Sequence, residues 1–203
     1  MNLSTASEIH VHPNDTIQNA VNIAIPHDTI IIHSGTYTEN VNVNKTLTII
    51  SYTGNPTDTI VQADDKNKSI FSVSAENVTI KGFCIKNVSG PNVHGICLFS
   101  SNNCTMQNNV VCYIEHGNGI HLAYSENNTL TNNTVNRNGL DGIRISNSKN
   151  NVLNNNVAWH NGWNGFFSEL SVNNILNNNS ASENGIAGIH SYRSERDTLF
   201  NNN

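Results

Sequence analysis

Apolar residues recur along this chain in alternating pairs, closed off by asparagine or glycine. In Gly119-Ile120-His121-Leu122 the two aliphatics point to one side of an extended segment and His121 to the other. The phrase returns as Gly142-Ile143-Arg144-Ile145, Gly165-Phe166-Phe167-Ser168 and Gly188-Ile189-His190-Ser191. Counting from Gly95, the five glycines stand 24, 23, 23 and 23 residues apart. A second phrase keeps step with the first: Asn127-Asn128-Thr129-Leu130-Thr131-Asn132-Asn133, then Asn150 to Asn156, Asn173 to Asn179, and a degenerate Arg196 to Asn202. Each copy predicts three short strands and three turns, and no helix of ten residues fits between the Asn and Gly punctuation. A leucine-rich repeat of similar period needs a Leu-x-x-Leu-x-Leu strand and a helical return, and neither is present. The pattern predicts an all-β chain in which each repeat is one coil of a single-stranded parallel β-helix.

Stacking coils about 4.8 Å apart places equivalent residues in columns. Predicted inward columns read Ile80, Met106, Leu130, Leu153, Leu176, Leu199, then Ile96, Ile120, Ile143, Phe166, Ile189, and Ile85, Val111, Val135, Ala158, Ala181. Asn109, Asn133, Asn156, Asn179 and Asn202 form a further inward column, whose amides can bond one another along the axis. Asn138, Asn161 and Asn184, each before a Gly, are expected at turns needing positive φ. Trp163, in line with His116, Leu140 and Ile186, is expected in the core. Apolar residues at 17, 20, 21, 24 and 25 predict a short helix, begun by Asn14 or Asp15 and stopped by Pro26. The organisation expected is therefore a cap over 1–27 and a solenoid over 28–203, irregular to about 92. The last coil stops at Asn203 without a visible cap, an expectation of truncation, continuation or stacking on a partner.

Of 203 residues, 36% are apolar, only 12% are charged, and 40 are asparagine. Such a composition would read as low complexity but for the spaced Val, Ile and Leu. A net charge of −5 excludes a generally basic nucleic-acid binder. No apolar run approaches the roughly 18 residues of a membrane helix, so no membrane insertion is expected. The first residues lack the features of a secretory signal.

The stretch from Asp15-Thr16-Ile17-Gln18 through Pro26-His27-Asp28-Thr29-Ile30 to Gly35-Thr36-Tyr37 and Glu39 resembles the opening of pectate-lyase-like β-helix proteins, with His27 in place of the usual Gly. Asn77-Val78-Thr79-Ile80-Lys81-Gly82-Phe83 and the later Asn-Asn-x-Leu-x-Asn-Asn phrases resemble the NosD-like group, whose carbohydrate-binding and sugar-hydrolysis type of domain is common in archaeal cell-surface proteins. The resemblance covers about Thr16 to Asn203. It implies a right-handed coil, an extracellular or periplasmic setting, and any catalytic residues drawn from successive coils on one exposed strand face.

On that face the position two after each Gly reads Cys97, His121, Arg144, Phe167, His190, and Asp141 lies just before Gly142. A carboxylate, an imidazole and a guanidinium side by side can move a proton beside a sugar acid, which makes His121, Asp141, Arg144 and Glu169 the catalytic candidates for a lyase or hydrolase. The catalytic signatures of polygalacturonases, pectate lyases and alginate epimerases are all absent. Trp159, Tyr124, Phe167 and Tyr192 are the carbohydrate-contact candidates, because aromatic faces flanked by amides suit sugar rings. No C-x-x-C or H-x-x-x-H spacing exists and methionines number two, so no metal or other cofactor is expected. Cys84, Cys97, Cys104 and Cys112 share no column, which leaves disulfides or buried thiols open. The reading favoured is an exported or cell-surface module that contacts a polysaccharide or surface glycan, or is structural, without catalysis. A lyase or hydrolase and a fibre self-associating through its last coil are the alternatives.

Overall fold

A three-residue strand with alternating polarity has one apolar face and two unpaired edges, and both are satisfied when the next coil lies on top of it. The computed structural model describes residues 5–203, and in them three parallel sheets of nine, seven and seven strands run the length of a solenoid. Register is direct from coil to coil: Leu130 pairs Leu153 and Leu153 pairs Leu176, while Ile120 pairs Ile143 and Ile143 pairs Phe166. Ile80, Met106, Leu130, Leu153 and Leu176 are all buried, each burial being worth about 1.5–3 kcal/mol. In the last coil Leu199 is exposed.

Asparagine ladders run beside these apolar columns. Asn156 Oδ1 accepts the backbone N–H and the side-chain amide of Asn133, at 3.0 Å each, and its own amide donates to Asn179 Oδ1 and the Leu130 carbonyl. A second ladder joins Asn128, Asn151, Asn174 and Asp197. Asn138, Asn161 and Asn184 form a third, which corrects the expectation of turns there: Asn138 and Asn161 are buried, and positive φ falls one residue earlier, on Arg137, His160 and Glu183. The inward amide leaves the preceding residue to take the corner.

Trp163 is also corrected. It is 44% exposed, because its column lies on an outward turn beside the exposed Ile186. The helix spans Ile17–Ile23 and is capped by Thr16, whose hydroxyl accepts from the Asn19 N–H, rather than by Asn14 or Asp15. Glu39 accepts the N–H groups of Ile17 and Gln18, and the Lys45 ammonium donates to the carbonyls of Val21, Asn22 and Ala24 at the other end. Ahead of the helix, Glu8–Val11 adds one more strand to the nine-stranded sheet.

Candidate functional site

Strands Ile96–Phe99, Ile120–Ala123, Ile143–Ser146, Asn164–Glu169 and Ala187–Tyr192 belong to one seven-stranded sheet. Their outward residues stack in two columns, Cys97, His121, Arg144, Phe167, His190 and Phe99, Ala123, Ser146, Glu169, Tyr192. The sheet thereby brings His121, Arg144 and Glu169 into adjacent coils, with Asp141 at the turn before them. Arg144 donates to Asp141 Oδ2 at 3.4 Å and to Glu169 Oε2, and its guanidinium lies 4.9 Å from the centre of the Phe167 ring. His94, Phe99, Tyr124, His121, Arg144 and Glu169 line an open groove of about 480 Å³.

Asp141 is also a rung of a fourth ladder. The backbone N–H of Asn118 donates to His94 Nδ1, that of Asp141 to Asn118 Oδ1, and that of Asn164 to Asp141 Oδ1. The Asn164 amide adds a bond to the same Asp141 oxygen at 2.8 Å. Burial pushes the Asp141 carboxyl up, against the opposing pull of Asn164 and Arg144.

His94 occupies an asparagine slot, and this fixes where the protons sit. Its Nδ1 accepts from Asn118, so in a neutral ring the proton is on Nε2 and is donated to His121 Nδ1 at 3.0 Å. His121 then carries its own proton on Nε2 and donates it to Ser146 Oγ at 2.8 Å. Both rings are neutral: burial, and then the Arg144 charge, pushes His94 down to about 4. Burial, with His94 and Arg144 beside it, pushes His121 down to about 3. An unfolded chain takes up these protons from about pH 6.5 downward while the folded one does not, so stability falls with pH in that window. His94→Asn keeps an acceptor for Asn118 and is expected to flatten the decline by about 1 kcal/mol per pH unit. Urea midpoints at pH 6, 5 and 4 check it.

The carbohydrate-contact candidates divide. Tyr124 is exposed on the groove, edge-to-face with the exposed Phe99 at 5.7 Å. Phe167 is buried under Arg144 and His190, and the half-exposed Tyr192 carries Arg193 over its ring. Trp159 lies on a different sheet, with the Arg137 guanidinium 4.5 Å from its ring centre. Sequence reasoning passed over Phe99, Ser146 and the role of His94. The register that aligned His121 with Arg144 also aligns Phe99 with Ala123 and Ser146, and this was the available signal.

His94, Cys97 and His121 each offer a ligand atom within 4.8 Å of the others. Burial pushes the Cys97 thiol up to about 11. Two neutral imidazoles and a thiol are a donor set for a soft or borderline cation. The neighbouring Cys112 thiol, with Lys86, lowers Cys84 to about 7, while Cys84 and burial push Cys112 up.

Residues 94–203 match the family described as periplasmic copper-binding protein (NosD). A cell surface glycoprotein of Methanothermus fervidus is 39% identical over 82 residues, 40% of this chain and 12% of that protein. Among solved structures, pectate lyase Pel9A is similar with a TM-score of 0.76 at 18% identity, over 91% of this chain and 56% of its own. A rhamnogalacturonan lyase reaches 0.76 at 13% identity, over 92% and 62%. At such identities the likeness is one of fold, and this chain spans little more than half of either lyase.

Proposed function

The chain belongs to the NosD family, and from that premise we propose that it is a cell-surface module whose groove beside Phe99 and Tyr124 holds a neutral polysaccharide without cleaving it. The surface setting is supported by the relative named a cell surface glycoprotein and by the periplasmic description of the family. Among the described residues, no helix is long and apolar enough to cross a membrane.

The observation that carries the choice of sugar is the state of Arg144. It is the one cation lining the groove, and it is already paired with Asp141 and Glu169 and stacked on Phe167. A uronate chain entering here would meet two carboxylates and no free positive charge. A neutral chain would lay its C–H faces on Phe99 and Tyr124 and its hydroxyls against Glu169, Asn147 and Ser146. The absence of cleavage is supported by His121, which accepts at Nδ1 and holds a proton at Nε2, leaving no lone pair for a base toward the groove.

Affinity electrophoresis through gels containing neutral or carboxylated polysaccharides tests this. Retardation by a neutral polymer is expected, weakened about tenfold by Phe99→Ala or Tyr124→Ala, the loss of roughly one stacking contact. Retention on carboxylated polymers alone, abolished by Arg144→Ala, would contradict it. New reducing or unsaturated ends, abolished by His121→Ala, would replace it with the lyase or hydrolase using His121, Asp141, Arg144 and Glu169.

A further inference from the structure

We propose that two corners of the solenoid are acceptor faces for N-linked glycans, with Asn77, Asn103 and Asn127 on one corner and Asn132 and Asn178 on the other. The inference rests on the surface setting above and is independent of the groove and its polymer.

Each of these residues opens an N-x-Ser/Thr sequon in which x is not proline. Asn77-Val78-Thr79, Asn103-Cys104-Thr105 and Asn127-Asn128-Thr129 repeat at one place in successive coils. Asn132-Asn133-Thr134 and Asn178-Asn179-Ser180 share another place, two coils apart. In so asparagine-rich a chain such triplets arise freely, and the fold sorts them. Two residues after a ladder asparagine the strand points inward, as Leu130 does after Asn128 and Val135 after Asn133, so a buried amide gains no hydroxyl partner in the motif. Two residues after a corner asparagine comes the first outward position of the next strand, where Thr79, Thr105 and Thr129 stand in register. Every sequon among the described residues accordingly begins with an exposed asparagine, and no buried asparagine begins one.

The corner conformation presents the acceptor atom. All five asparagines have φ between 53 and 57, in the left-handed region that asparagine tolerates. The backbone N–H of each donates to the next coil, that of Asn127 to the Lys149 carbonyl at 3.1 Å, while their side-chain amides meet no partner among the described residues. In the next two coils of the first corner Val152 and Ile175 replace the threonine, and there the Asn173 amide donates to Asn150 Oδ1 at 3.3 Å. The column bonds to itself where the sequon ends and leaves its amides to solvent where the sequon is present.

Transfer joins asparagine Nδ2 to the anomeric carbon of a sugar that an envelope oligosaccharyltransferase takes from a polyprenyl phosphate or diphosphate. The bond from that carbon to the phosphate oxygen breaks, the lipid phosphate leaves with the electron pair, and Nδ2 gives up one proton to a base of the transferase.

The chain isolated from its own fractionated cells is digested and read by mass spectrometry, with fragmentation that keeps sugars on asparagine. Glycan masses are expected on both corners, Asn127 and Asn178 included, and on no ladder asparagine. Thr129→Val copies the next coil and is expected to remove the Asn127 glycan alone. Val152→Thr copies the preceding coil and is expected to add a glycan at Asn150. Circular dichroism melts establish that both variants are folded. An unmodified Asn127 or Asn178 in chain from the envelope would overturn the corner it stands on. A glycan kept by Thr129→Val, or none gained by Val152→Thr, would overturn the sequon as its cause. Recovery of the chain from the cytoplasm alone would overturn the surface setting as well, so the two failures are distinguishable.

Discussion

Asn156→Ala is expected to lower stability by about 4 kcal/mol, and the melting temperature by about 8–16 °C for a chain of this size. Asn156 sits mid-ladder and is fully buried. Its oxygen is the acceptor for both the backbone N–H and an amide hydrogen of Asn133, and its amide donates to the Leu130 carbonyl at 2.8 Å and to Asn179 at 3.0 Å. Alanine removes all four bonds and supplies none. The orphaned groups lie between coils that water cannot enter, and each costs about 1–3 kcal/mol. Asn155→Gly is the control. Asn155 is exposed at φ 55, a conformation glycine adopts freely, and the change is expected to cost below about 1 kcal/mol. Equal melting of the two variants would show that the ladder is not what holds the coils.

Gly139→Ala is expected to cost more than about 4 kcal/mol, beyond the usual range for an overpacked site. A Cβ there would lie 1.7 Å from the Glu115 carbonyl oxygen and 2.6 Å from its carbon, which are backbone atoms of the neighbouring coil. Those coils are already joined by the Gly139 N–H donating to the Ile114 carbonyl at 2.7 Å, so separating them breaks that bond as well. A Cβ at Gly117, Gly162 or Gly185 would lie 1.5, 2.2 or 2.1 Å from a backbone oxygen of the neighbouring coil. Gly54→Ala gives the contrast. Its φ is 71 but no atom lies within 4 Å of the added Cβ, so only local strain of about 1 kcal/mol is expected. Thermal melts of the two variants side by side check the ranking.

Both predictions rest on columns that the sequence announces, and the limits of that reading have physical causes. Period and alternation together place Leu130 under Leu153 and His121 beside Arg144, because a parallel register admits no slip without exposing every apolar side chain. Turns are less legible. Each repeat turns several corners, and most fall on asparagines such as Asn127, Asn132, Asn150 and Asn155, but one falls on Arg137, His160 and Glu183, of which Arg and Glu lack asparagine's preference for positive φ. The neighbouring asparagines, which have that preference, are held inward by their ladder. Trp163 misleads because Leu140 and Ile186 look like core mates although the turn carrying them faces outward.

Asp141 misleads in another way. A carboxylate beside an arginine on a strand face reads as chemistry, yet the slot it fills is also filled by Asn118 and Asn164. The role of His94 is hidden for the same reason. Only the direction of the ladder shows that its Nδ1 is an acceptor, and every proton position from His94 to Ser146 follows from that one bond.

Stacking is tested most directly by distances along one outward column. Thr48, Thr79, Thr105, Thr129, Val152, Ile175 and Thr198 succeed one another in register. Spin labels carried on a non-canonical amino acid at Thr198 and, in turn, at Thr105, Thr79 and Thr48 are expected to lie about 19, 24 and 29 Å apart, one strand spacing per coil. Distances that fail to grow by a constant step of about 5 Å per coil would contradict the solenoid, and with it the groove and the ladders.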